Sequence, residues 1–186
     1  MTIAILGWGS LIWKPQNLRY EGSWETGGPV LPLEFSKIAE NKRLTVVIDS
    51  QNGAMCPTQF AISTCTNLED AIEDLKQREG TTTEYIGYID RANNRSSIEE
   101  YPAQINVDQT VREWCEANRI AAVVWTAILP NFPDKMGVPF SIDAALRYYQ
   151  SLSAADQASV MEYIDKTPAE TDTPLRCRMQ CQTVIR

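Results

Sequence analysis

The chain has no histidine among its 186 residues. That absence removes the Ser-His-Asp triad, the Cys-His dyad and imidazole-rich metal sites together. Proton transfer near neutral pH must then fall to a carboxylate, a lysine, a tyrosine or a thiol. Positive charge is also scarce: 17 Lys and Arg face 24 Asp and Glu, for a net charge of −7. Nucleic acid needs a basic stripe to displace its counterions, and an anionic lipid surface needs a polybasic patch, so neither partner is expected. A small anion needs less, and Lys14, Arg19, Arg43 and Arg78 are available to hold one. Long apolar runs are missing too. None reaches the ~20 residues that cross a bilayer, and the start, Met-Thr-Ile-Ala-Ile-Leu-Gly, lacks the basic segment and apolar length of a secretory leader. A cytoplasmic protein is therefore expected. The five cysteines are odd in number and scattered, which argues for reduced thiols. Cys177 and Cys181 are spaced for one helix face or a turn, but two thiols do not complete a zinc site, and no metal is expected.

What is present suits a packed domain. Hydrophobic residues make up 44% of the chain, and at this length folding buries roughly 70% of the unfolded surface. The expectation is one domain over residues 1–186. Thr2–Leu6 reads as a buried strand that ends in a tight turn. The Gly and Pro cluster at Gly22–Pro32 reads as loop. Leu31–Ala39 and Arg43–Asp49 are rich in β-formers and predict a hairpin. Gln51-Asn52-Gly53 signals a turn, and Pro57–Cys65 a further strand. Asn67 is placed to cap a helix in which Leu68, Ala71, Ile72 and Leu75 share a face, with Gly80 as its stop and Glu79 in its last turn. Thr83–Asp90 reads as strand or irregular segment. Val107–Asn118 predicts a helix capped by Asn106 or Asp108, and Ile120–Leu129 a buried strand. Ser141–Leu152 and Ser153–Lys166 predict two helices, and the stretch after Pro168 an arm packed on the body. Strands early and helices late point to an α+β domain with a small, mixed, mostly antiparallel, barrel-like sheet. Residues 141–186 form its helical extension and tail.

Two places carry chemical potential. The turn Gly7-Trp8-Gly9-Ser10-Leu11 has two glycines around one residue, which permits φ > 0 and close backbone approach. Successive N–H groups there can nest an anion, with Ser10 adding a hydroxyl. A plain strand-exit turn explains the same residues equally well. The second place is Leu75-Lys76-Gln77-Arg78-Glu79-Gly80. A carboxylate at a helix C-terminus lies against the dipole, which disfavours its charge. A solvated Glu79 beside Arg78 is the plain alternative.

Leu6–Trp13, Leu-Gly-Trp-Gly-Ser-Leu-Ile-Trp, resembles the N-terminal signature of γ-glutamylcyclotransferase-like proteins, and its Leu-Ile-Trp ending is nearer the branch that acts on glutathione. Trp8 stands at the usual tyrosine position, keeping a flat face and exchanging an O–H for an N–H donor. The family's catalytic glutamate lies in a motif similar to Arg78-Glu79-Gly80, in the same order along the chain. The resemblance covers about a dozen residues. It implies that Glu79 is the catalytic acid–base and that Leu6, Gly7, Trp8, Gly9, Ser10 and Leu11 cradle a small γ-glutamyl substrate. It also implies that 5-oxoproline and a free amine or amino acid are the products, with no cofactor. A non-catalytic binding module on the same fold is one alternative, and an interaction protein using its C-terminal helices is another. Glu34 is a weaker candidate, read as wet, as paired with Arg43, or as facing the site. Arg19 and Tyr85 are candidates for substrate contact or plain surface residues.

Overall fold

The fold is that of a computed structural model, and the structure describes residues 1–99 and 104–183. Among the described residues seven strands and seven α-helices follow in the order β1 (Ile3–Gly7), α1 (Ser10–Trp13), β2 (Tyr20–Ile38), β3 (Leu44–Ile48), β4 (Ala54–Ser63), α2 (Leu68–Glu79), β5 (Ile86–Asp90), β6 (Arg95–Ser96), α3 (Ile105–Ala117), β7 (Ala122–Thr126), α4 (Phe132–Met136), α5 (Ile142–Ser151), α6 (Ala154–Lys166) and α7 (Pro174–Thr183). The strands form one mixed sheet in the order β3-β2-β4-β1-β7-β5-β6. β1 and β7 are parallel, whereas β1–β4, β2–β3, β5–β7 and β5–β6 are antiparallel. The class is α+β as expected. The sheet does not close, so the barrel-like expectation is corrected: β3 and β6 remain edge strands.

The chain groups into two compact units, residues 1–31 with 57–128 and residues 32–56 with 129–186. The described part of the expected helical extension thus groups with the β2–β3 hairpin region, while residues 184–186 of it lie outside the described residues. In the first unit every residue of β1 is buried, as suits a strand with neighbours on both sides and cover on both faces. Ile3 and Ile5 pack with Leu68, Ala71 and Leu75 of α2 and with Val124 of β7. In the second unit Phe35 meets Tyr163 edge-to-face at 6.2 Å, and the Arg43 guanidinium stacks on the same Tyr163 ring at 4.5 Å.

Local signals account for most boundaries. The hairpin turns at Lys42, whose φ of 64° places it in the left-handed region, and Leu33 pairs with Ile48. The next turn is organised by Asp49, whose Oδ1 accepts from the amides of Gln51 and Asn52. Ser141 and Ser153 cap α5 and α6 by accepting from Ala144 and Asp156. Two expectations fail. Gly22–Pro32 is strand, inside the 19-residue β2. Tertiary hydrogen bonds supply the reason: Gly27 O accepts from Trp114 Nε1 at 2.8 Å, and Pro29 O from Thr58 Oγ1 at 2.7 Å. Helix α3 begins after Gln104 without a side-chain cap, so neither Asn106 nor Asp108 serves as one. The arm after Pro168 contains α7, and the free Cys177 and Cys181 lie one turn apart on it, both exposed.

Candidate functional site

Glu79 is held by α2, and both ends of that helix are locally specified. Asn67 Oδ1 accepts from the Asp70 amide at 2.8 Å, satisfying one of the first-turn donors. Glu69 and Asp70 occupy the first turn, and Lys76 and Arg78 the last, each complementing the helix dipole. Gly80 takes the left-handed conformation at φ 63°, and its amide bonds to Gln77 O. Leu68, Ala71 and Leu75 bury one face of α2, which packs on β5 and β7. That docking directs the last turn of α2 at the end of β1.

There Arg78 joins the two places singled out from sequence. Its Nη1 lies 2.5 Å from Glu79 Oε1. Its Nη2 donates to Ser10 Oγ at 3.3 Å and to Lys14 O at 2.9 Å. Thr126 at the end of β7 donates its hydroxyl to Glu79 Oε1 at 3.2 Å. The side chains of Arg78 and Glu79 are only 7% and 15% exposed, so the pair is far less screened than a surface ion pair. Both bonds to the glutamate fall on Oε1, and among the described residues Oε2 takes none. One carboxylate oxygen is thus bonded twice and the other has no hydrogen-bond partner among the described residues.

The turn differs from expectation in its backbone. Gly9 has φ −137° and ψ −143°, and Gly7 is not in the left-handed region either. Alternating-handed nest geometry is thus not formed here. Gly7 serves close approach instead: a Cβ there would lie 2.7 Å from Trp24 Cζ3. The first amides of α1, at Ser10 and Leu11, follow Gly9 and have no acceptor within their own short helix. Leu6 and Leu11 are buried, and Leu11 belongs to the apolar core of this unit. Trp8 is buried as well. Ser10 is thus the side chain of the turn that meets the Arg78–Glu79 pair.

The remaining candidates are elsewhere. Arg19 pairs with Asp74, its Nε 3.1 Å from Oδ1 and its amide 2.8 Å from Oδ2. Tyr85 is exposed, in a short 3-10 turn at Thr83–Tyr85. Glu34 belongs to the other unit and is fully buried, neither wet nor paired with Arg43. Its Oε1 accepts from Thr173 Oγ1 at 2.6 Å and from the Phe35 amide at 2.7 Å. Desolvation raises the pKa of its carboxyl above the ordinary value, against these hydrogen bonds. Thr126 and the Lys14 carbonyl were not singled out from sequence, since only tertiary packing brings them to Arg78 and Glu79.

The chain is thus an α+β protein whose described polar centre is a carboxylate–guanidinium pair bonded to a serine on a Gly-Ser turn. Comparison with family models, with curated proteins and with solved structures returned no match. Among the described residues no group of three or more His, Cys, Asp or Glu side chains could hold a metal ion, and no helix is long and apolar enough to cross a membrane.

Proposed function

We propose that this chain is a γ-glutamylcyclotransferase-like enzyme, on the corresponding fold, that converts a γ-glutamyl compound to 5-oxoproline and a free amine or amino acid. The single observation that carries the reading is the linkage of Glu79 to Ser10 through Arg78, with Glu79 Oε2 unengaged among the described residues. The substrate α-carboxylate lies against the Ser10 corner and the Arg78 guanidinium. Glu79 Oε2 takes a proton from the α-ammonium. The freed amine attacks the γ-carbonyl of the same molecule, and the C–N bond to the leaving amine breaks as Glu79 returns its proton to that amine. The new ring nitrogen gives up its extra proton to the departing amine, leaving the neutral amide N–H of 5-oxoproline and a protonated free amine. The nucleophile is part of the substrate, so folding it into an attacking shape supplies much of the rate. Trp8 replaces the family's phenol, so any contact there is made by an indole. Five free thiols suit the reducing cytoplasm.

The Arg78–Glu79 pair favours one second reading, a non-catalytic module. A carboxylate already engaged by a guanidinium holds a ligand ammonium without deprotonating it. One assay separates the two. Glutathione, other γ-glutamyl amino acids and γ-glutamyl amines are each incubated with the protein, and 5-oxoproline is measured. The enzyme reading requires release from at least one of them, lowered by about 10²-fold or more in Glu79→Gln. Binding without release, unchanged in Glu79→Gln, establishes the module instead.

A further inference from the structure

Thr126 ends β7, and the sheet fixes its place. It pairs with Ile86 of β5, and the amide that follows it, Ala127 N, donates to Tyr85 O at 2.8 Å. Its neighbour Trp125 pairs with Gly87, where an added Cβ would lie 2.2 Å from the indole Cε2. Packing that close leaves the strand end little room to shift against β5. Val124 packs with Leu68, Ala71 and Leu75 of α2, and Thr126, two residues on, shares that face of the sheet. Threonine is β-branched, so its χ1 is restricted. The Thr126 hydroxyl is therefore a fixed point on the face that α2 covers.

The Glu79 carboxylate has no such rigidity of its own. Its terminal torsion joins an sp³ to an sp² carbon, and that rotation is soft. Two donors constrain it, and they come from different directions. Arg78 is tied to Ser10 and to the Lys14 carbonyl, so its bond to Oε1 refers the carboxylate to the turn after β1. The Thr126 hydroxyl donates to the same Oε1 at 3.2 Å and refers the carboxylate to the sheet. Both act on one oxygen, whose lone pairs they engage. A proton arriving at the carboxylate then goes to Oε2, which takes no bond among the described residues. We propose that Thr126 is a positioning residue for the reaction set out above: its hydroxyl holds Oε1 and so fixes the direction in which Oε2 meets the substrate nitrogen. The inference rests on the γ-glutamyl reading of the site. It adds a role for a residue on the sheet that acts only through Glu79. Sites built on strands hold such geometry more tightly than sites on loops.

The test compares the full chain with Thr126→Val, which deletes the hydroxyl at nearly constant shape, and Thr126→Ser, which keeps it. Release of 5-oxoproline is followed with whichever of glutathione, the γ-glutamyl amino acids and the γ-glutamyl amines the parent turns over fastest, and crystal structures of all three proteins are compared. Thr126→Val should lower kcat about ten-fold and change KM by no more than about two-fold, since a misdirected oxygen slows the proton transfer without removing a substrate contact. Thr126→Ser should recover kcat to within about three-fold of the parent. In the crystal structures the Glu79 carboxylate should be turned about its terminal bond in Thr126→Val alone. An active parent matched by Thr126→Val, or a carboxylate unmoved in that variant, overturns the positioning role and leaves the proposed reaction standing. A loss that falls on KM, or that serine does not restore, makes Thr126 a structural residue and overturns the role as well. A parent that releases no 5-oxoproline from any of these compounds removes the reaction and the role together.

Discussion

Arg78 binds three groups that arrive from different parts of the chain: the serine hydroxyl of the turn, the carbonyl of Lys14 and the carboxylate beside it. A planar guanidinium makes these contacts with fixed geometry, and a lysine ammonium cannot reproduce the fork. Its Nε is nevertheless buried without an acceptor among the described residues, so the side chain is not fully compensated, and removing it also removes that cost. The larger effect is on Glu79, which would keep a mostly buried charge with Thr126 as its only hydrogen-bond donor among the described residues. Arg78→Met is therefore expected to destabilise the protein by about 3 kcal/mol in urea unfolding, in the range for breaking one side of a buried pair. Arg78→Lys should recover part of that loss by restoring charge. Equal stability of Arg78→Met and the parent would show that the pair contributes nothing to folding.

At the scale of elements, α2 was legible in the sequence because its signals are local. Asn67 and Gly80 declare its ends through their own backbone needs, and Leu68, Ala71 and Leu75 declare its buried face. The two caps make separable predictions. Asn67→Ala loses the bond to the Asp70 amide, for about 1 kcal/mol. Gly80→Ala meets no atom within 4 Å, so its cost is backbone strain alone at φ 63°, about 1 kcal/mol. The caps stand at opposite ends of a 12-residue helix, roughly 18 Å apart, so the double variant should lose about 2 kcal/mol. Urea midpoints of the two single variants and the double check this. A neutral Gly80→Ala would mean that the end of α2 tolerates an alanine in that conformation. Strand β2 was illegible for the opposite reason. Its glycines at 22 and 27 adopt positive φ, and turn chemistry reads them as loop. The partners that hold the segment extended, Thr58 and Trp114, are 29 and 87 residues away from the carbonyls they bind.

At the scale of the molecule, the order of predicted elements, strands early and helices late, was enough for the α+β class but not for the order of strands or the open sheet. Nor could it foresee that two of the three boundaries between the units fall inside β2 and β4, at residues 31–32 and 56–57. The polar pair at the site was half legible: a motif named Glu79 and the turn, while packing alone supplied Arg78 as their connector. Glu34 shows the limit most plainly, for nothing in Pro-Leu-Glu-Phe predicts a fully buried acid. Its Oε2 has no hydrogen-bond partner of good geometry among the described residues, and desolvation, with a smaller contribution from Asp49, raises its pKa in the fold above the ordinary 4.5, against the lowering effect of Thr173 and of the Phe35 and Leu175 amides. The consequence for global stability has a definite sign. Below the unfolded value both states are protonated, and Glu34 exerts no penalty. As pH rises past about 4.5 the unfolded chain ionises first, and stability falls until the folded pKa is passed, after which the loss is constant. Glu34→Gln mimics the neutral form: its carbonyl can accept from Thr173 and Phe35, and its amide takes the place of the unpartnered oxygen. Tm measured from pH 4 to 8 should therefore show parent and Glu34→Gln converging at the acid end, with the variant higher at neutral pH. A difference independent of pH, or a variant whose advantage grows toward acid, would mean that the buried carboxyl is not the group setting that dependence.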